Sequence, residues 1–181
     1  TEDYIKWTTD KAAMIYFEFS DNAGASWYPV TNTVSSTLGQ VEWTVPSVNT
    51  KNAIVRMINA ETNQEMAYSG QFKILAGDVT LTSPRDGDKL TVGQKRAIRW
   101  TYNNVSRFDL QFSPDQGETW QQIARDVVAI NSKHMWTVPN VKTDHGIIRA
   151  LWNNDPDMEY SRTEGFLIDG SLAVKGDDSY G

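Results

Sequence analysis

The 181-residue sequence contains no cysteine. Disulfides, thiol nucleophiles, thiolate zinc sites and iron–sulfur ligation are therefore all excluded, while the compartment stays open. Histidine occurs only twice, at His134 and His145, with neither a serine elbow nor a second histidine at ligand spacing beside it. No catalytic residue, metal or cofactor is expected. Lysine and arginine number 17 against 23 acidic residues, a net charge of -6, and the basic residues do not cluster. Nothing here would track a phosphate backbone, so nucleic acid is not an expected partner. Apolar runs fall far short of the roughly 20 residues of a membrane helix, and no basic, apolar leader opens the sequence. Amphipathic spacing at i, i+3, i+4 and i+7 is not sustained anywhere, which predicts little or no helix.

What the sequence does have is a repeat. At an offset of 93 residues, Ile5-Lys6-Trp7-Thr8 superposes on Ile98-Arg99-Trp100-Thr101, and Trp43-Thr44-Val45-Pro46 on Trp136-Thr137-Val138-Pro139. Phe19, Gly24, Trp27, Ile54 and Arg56 meet Phe112, Gly117, Trp120, Ile147 and Arg149 in the same ungapped register. Two homologous domains follow. Near the ends the register drifts: Tyr68-Ser69 matches Tyr160-Ser161 and Phe72-Lys73-Ile74 matches Phe166-Leu167-Ile168, as a hairpin loop of variable length would produce. Each copy alternates short β-branched and aromatic runs with Gly, Asn, Asp and Pro every eight to twelve residues, the rhythm of an all-β sandwich. Side chains alternate with period two along a strand, so Ile15, Phe17 and Phe19 share one core face and Phe108, Leu110 and Phe112 another.

In the second copy the order Thr82-Ser83-Pro84-Arg85-Asp86-Gly87-Asp88-Lys89-Leu90, Ile98-Arg99-Trp100, Ser113 to Trp120 and Trp136-Thr137-Val138-Pro139 resembles the tandem Ig-like or fibronectin-III-like modules of bacterial and archaeal secreted and cell-surface proteins, a group that includes the Kre9/Knh1-like Ig domains. The resemblance implies seven-stranded sandwiches acting as extracellular, secreted or surface-borne spacers, adhesins or structural units. The stretch Ser113-x-Asp115-x-Gly117-x-Thr119-Trp120 also resembles the Asp-box hairpin of sialidase-type propellers, where it is a structural turn. Asp115 accepts backbone N–H bonds, Gly117 supplies a positive φ and Trp120 covers the hairpin base. In the first copy Asn22 replaces the carboxylate, which a turn tolerates.

The phase of the repeats is uneven. The opening strand of the second copy, Asp78-Val79-Thr80-Leu81-Thr82, has no equivalent ahead of Thr1, which aligns with Gln94. The tail Gly170-Ser171-Leu172-Ala173-Val174-Lys175 aligns at the same offset with Gly77 to Thr82. The expected organisation is an Ig-like domain 1 without its opening strand (1–76), a complete domain 2 (77–169), and a strand-like tail (170–181). An incomplete sandwich invites an added strand. Ser171, Leu172, Ala173, Val174 and Lys175 form the candidate donor, and Tyr4, Ile5 and Trp7 the acceptor edge, of a head-to-tail homopolymer; a piece of a longer array of Ig-like repeats is the second reading. The short connection Leu75-Ala76-Gly77-Asp78 predicts a stiff pair.

The paired tryptophans are expected to serve packing. Trp152, opposite Asn59, either compensates for the change from Met57 to Ala150 or, with Asn154, Asp155 and Asp157, binds a surface glycan. The acidic loop lacks the spacing of an EF-hand. Asn104-Val105-Ser106 fits a glycosylation sequon in a turn.

Overall fold

The computed structural model describes residues 2–170, and the chain divides into two compact units, Thr1–Ala76 and Gly77–Gly181. The second is the fuller. Its strands are β9 (Asp78–Ser83), β10 (Lys89–Thr91), β11 (Lys95–Asn103), β12 (Arg107–Ser113), β13 (Gln121–Val128), β14 (Lys133–Thr137), β15 (Thr143–Leu151), β16 (Glu159–Arg162) and β17 (Phe166–Asp169). One sheet runs β14-β11-β9, the other β10-β17-β15-β12-β13 with β16 alongside β15. All pairs are antiparallel except β10–β17. The turn from β9 to β10, which carries the chain from one sheet to the other, contains a cis Ser83–Pro84 peptide.

The first unit holds β1 (Glu2–Lys6), β2 (Met14–Ser20), β3 (Tyr28–Pro29), β4 (Val34–Ser35), β5 (Gln40–Thr44), β6 (Thr50–Asn59), β7 (Glu65–Tyr68) and β8 (Phe72–Ile74). Here one sheet is only the pair β1-β5, and the other runs β3-β2-β6-β7 with β4 on β2 and β8 on β6. Among the described residues this unit has no counterpart of β9 or β10. Each unit therefore stacks two sheets of alternating strands, an all-β Ig-like sandwich. Helix among the described residues is confined to two single 3-10 turns, Ser36–Leu38 and Ala129–Asn131, at equivalent places in the repeat.

The inward faces follow the alternation of the sequence. Ile15, Phe17 and Phe19 are buried on β2, and Phe108, Leu110 and Phe112 on β12. The two cores differ in size: seventeen buried residues cluster in the second unit and seven in the first. Burial at matched positions explains the deficit. Ile98, Trp100, Trp136 and Val138 are buried, whereas Ile5, Trp7, Trp43 and Val45, their equivalents, are only partly buried. In the second unit Val79 of β9 and Leu90 of β10 join the core, and among the described residues of the first unit neither has a counterpart.

The structure corrects the alignment of the closing strands. Arg56 on β6 pairs with Tyr68, and Arg149 on β15 pairs with Arg162. Ser69 Oγ accepts the Val55 N–H, as Thr163 Oγ1 accepts the Ile148 N–H. Tyr68-Ser69 thus corresponds to Arg162-Thr163 rather than Tyr160-Ser161, in the register that also matches Phe72 to Phe166. One residue is inserted in the preceding hairpin, and aromatic identity at Tyr68 and Tyr160 had masked it. The expected seven strands become nine in the second unit because the opening edge is divided between β9 and β10 and the closing edge between β16 and β17.

Candidate functional site

Among the described residues, no strand of the first unit stands at the place that β9 takes in the second. In the second unit β11 uses its first half, Lys95 to Arg99, to pair with β14, and its second half, Arg99 to Asn103, to pair with β9. The first half corresponds to β1, and β1 pairs with β5 in the equivalent register, Glu2 with Thr44 through Lys6 with Gln40. The equivalent of the second half is residues 6–10. There the strand stops: Thr8, Thr9 and Asp10 leave the ladder, and the Thr9 hydroxyl donates to the Lys11 carbonyl and accepts the Lys11 N–H in a local turn. Backbone groups without a strand partner turn to water or to nearby side chains.

The uncovered stretch does not coincide with the expected acceptor residues. Tyr4 and Ile5 lie within the β1–β5 ladder, Tyr4 exposed opposite Glu42 and Ile5 half-buried opposite Val41. Of the three expected residues only Trp7 stands at the uncovered stretch. Its indole N–H donates to the Ser36 carbonyl at 2.7 Å, as that of Trp100 donates to Ala129 at 2.8 Å. Beside Trp7 a groove of about 260 Å³ opens between the sheets, walled by Ile5, Phe17, Val55, Met57 and Ala67. In the second unit this gap between β11 and β16 is bridged by β9, where Leu81 lies opposite Trp100 and donates its N–H to Ser161 Oγ at 3.1 Å. The candidate donor, Ser171, Leu172, Ala173, Val174 and Lys175, lies outside the described residues.

The Ser113 to Trp120 hairpin is a closed hydrogen-bonded turn. Ser113 Oγ donates to Asp115 Oδ1 at 2.7 Å and accepts the Gly117 N–H at 2.7 Å, and Asp115 Oδ1 accepts the Thr119 N–H at 2.8 Å. Gly117 has φ +97°, and a Cβ there would come within 3.3 Å of the Trp120 ring. The first unit repeats the network, with Asn22 in place of the acid: Ser20 Oγ accepts the Gly24 N–H and Asn22 Oδ1 the Ser26 N–H. The Thr119 hydroxyl and N–H, with Ser113, hold the Asp115 pKa down at about 2. A carboxyl whose pKa falls on folding stabilises above its unfolded value near 4, and the contribution disappears as pH drops through about 2. A carboxyl NMR titration is expected to give a midpoint near 2 for Asp115, moving toward the ordinary range in Ser113→Ala. In Asp115→Asn the part of the acid-stability slope between pH 4 and 2 due to this group vanishes.

Trp27 and Trp120 are not core residues, contrary to the packing role expected for all six paired tryptophans. Each lies under an arginine on the outer face of its sheet: the Arg56 guanidinium is 4.1 Å from the Trp27 ring centroid, and that of Arg149 3.7 Å from Trp120. Glu18 and Glu65 hold Arg56, and Gln111 holds Arg149. Such stacks stabilise by roughly 0.5–2 kcal/mol each.

Trp152 is half-buried and shares a cleft with Asn154, whose Oδ1 accepts from Gln111 Nε2 at 2.8 Å. Asp155 and Asp157 belong to the adjoining turn instead, where Asp155 Oδ1 accepts the Asp157 N–H. His134 lies on β14 and His145 on β15, 3.6 Å from Asp144. The described residues contain no group of three or more acidic or histidine side chains placed to hold a metal ion. No helix among them is long and apolar enough to cross a membrane.

The sequence matches no protein-family model, and no curated protein matches it. Solved structures similar to the chain include the fibronectin(III)-like modules of CbhA from Clostridium thermocellum, at 13% identity over 99% of this chain and 90% of that chain, with a TM-score of 0.34. A marsupial T cell receptor is similar at 8% identity over 93% of this chain and 68% of that chain, TM-score 0.33. Three N-terminal domains of the highly immunogenic outer capsid protein of bacteriophage RB49 are similar at 9% identity over 93% and 54%, TM-score 0.29.

Proposed function

We propose that the chain is a non-catalytic structural protein of the cell exterior whose first unit is completed by a strand from another copy. The observation that carries this reading is the half-buried Trp7 beside an unfilled groove, at the position where β9 covers Trp100. The donor is the tail, which aligns with β9 at the repeat offset and shares its leading glycine and its alternate apolar positions. Transferring the β9–β11 register by 93 residues sets Ser171 opposite Asp10, Leu172 opposite Thr9, Ala173 opposite Thr8, Val174 opposite Trp7 and Gly176 opposite Lys6. Leu172 then takes the place of Val79, which is fully buried, and Val174 that of Leu81. Main-chain bonds give such an added strand affinity, and the alternate apolar side chains give it register.

Glycine leads both segments. Gly77 has φ +78°, and a Cβ there would lie 2.5 Å from the Asn103 carbonyl oxygen, so the entry to β9 requires glycine. The donor has Gly170 at the same place, facing the Asp10 carbonyl in the transferred register. Because donor and acceptor are different surfaces of one chain, the contact is heterologous, and copies add head to tail into an open filament.

Light scattering and negative-stain microscopy of the full chain test the assembly, beside a variant lacking residues 170–181 and the point variant Gly170→Ala. Filaments from the full chain, and monomers from both variants, are the expected result. A full chain that stays monomeric at high concentration, or a tail-less variant that still polymerises, overturns the reading.

A further inference from the structure

A second site belongs to the second unit alone. Between the start of β12, the bulged β13 and the turn after β15 lies a cleft of about 590 Å³. Its floor carries Asp109, only 7% exposed, whose Oδ1 accepts the Asp126 N–H at 2.7 Å. No other described group bonds this carboxylate. Trp152 forms a wall, and its indole N–H has no acceptor among the described residues. Arg107 is tied to Asp126 at 2.8 Å, while the exposed Arg125 guanidinium pairs with no described group.

The backbone is shaped for this cluster. The pairing of β12 with β13 jumps from Phe108–Val127 to Leu110–Ala124, so Arg125 and Asp126 both stand opposite Asp109. Such bulges re-aim side chains next to binding sites. The internal repeat supplies a control. Core and hairpin residues recur in the two units, yet here Met14, Tyr16, Asn32, Thr33 and Asn59 of the first unit become Arg107, Asp109, Arg125, Asp126 and Trp152. The polar lining is thus no requirement of the fold.

We infer that this cleft binds a neutral saccharide. Two arginines and two aspartates balance in charge, which disfavours a strongly ionic ligand. A buried carboxylate with a free oxygen accepts hydroxyl protons, Arg125 and the Trp152 N–H donate to hydroxyl oxygens, and the indole packs the carbon-bound hydrogens of a pyranose ring. Vicinal hydroxyls, each both donor and acceptor, fit this close alternation of acceptor and donors. A phosphate-bearing ligand would meet Asp109. The site is independent of strand complementation, since none of its residues lies in the first unit or the tail.

The test titrates the full chain with neutral cello-, xylo-, manno- and laminari-oligosaccharides and, for comparison, with uronic-acid oligosaccharides, read by tryptophan fluorescence and NMR. At least one series is expected to give saturable binding that shifts the Trp152 indole signal. Arg125→Ala, at an exposed position, is expected to keep the melting temperature and weaken binding about tenfold, and Trp152→Ala to weaken it further. Tyr28→Ala in the first unit leaves binding unchanged. No binding by any series at about 10 mM sugar, beyond the millimolar range of weak ligands, overturns the inference. So does binding that survives both cleft variants, or binding by uronic-acid oligosaccharides alone.

Discussion

Trp100→Ala is expected to destabilise the second unit by about 3–5 kcal/mol, the cost of deleting a large aromatic from a packed core. Trp100 is 3% exposed, packs edge-on against Phe108 with centroids 5.0 Å apart, and donates to the Ala129 carbonyl. Trp7→Ala removes the same side chain from the equivalent place and, in a tail-less chain, should cost only about 1–2 kcal/mol, because a half-buried ring has less apolar surface to lose. Amide hydrogen exchange of β12 and β2, read separately, measures the two effects without assuming one unfolding transition for two units. The difference between the tryptophans reports what β9 contributes. Equal costs at the two sites would mean that the uncovered edge leaves the first core no weaker.

A chain lacking residues 170–181 is expected to melt in two steps, the first unit at the lower temperature, and a peptide of residues 170–181 should raise that step alone. At a peptide concentration a hundredfold above its dissociation constant, binding stabilises by about 2.7 kcal/mol. For a unit of this size each kcal/mol moves the midpoint by roughly 4–8 °C, so the shift should be about 10–20 °C in calorimetry. A peptide with Leu172→Asp and Val174→Asp, which would bury charge in the groove, should shift nothing. A wild-type peptide that leaves both transitions in place contradicts the groove assignment.

Much of the fold was legible because tandem duplication writes the same core twice: Trp7 with Trp100 and Trp43 with Trp136 mark one sheet, and Phe19 with Phe112 the facing one. Period-two alternation then distinguished inside from outside on β2 and β12. What stayed illegible depended on pairing. The uncovered stretch lies at residues 6–10 rather than at Tyr4 and Ile5 because β11 changes partner at Arg99, and the sequence carries no mark of that change. The outward placement of Trp27 and Trp120 was hidden because a tryptophan under arginine reads like a tryptophan in a core. Asp109, Arg107, Arg125 and Asp126 lie far apart along the chain or across a bulge, and only their mismatch with the first copy was visible. Among the candidate ligand residues, Trp152 and Asn154 face the cleft while Asp155 and Asp157 serve the neighbouring turn.

A pull between the two ends of the second unit would run along its strands. Gly77 enters beside Asn103 at one end of β11, and Gly170 leaves beside Lys142, near the end where β10 meets β17 and β11 begins. Interstrand bonds of an antiparallel pair lie perpendicular to the strands, so a pull between the two ends acts on β9 and β11 as sliding rather than peeling. Its five paired positions then yield together instead of one after another. A donated strand in the same register would give the joint between copies the same shear resistance, and a fibre of such units would have no junction that unzips under tension.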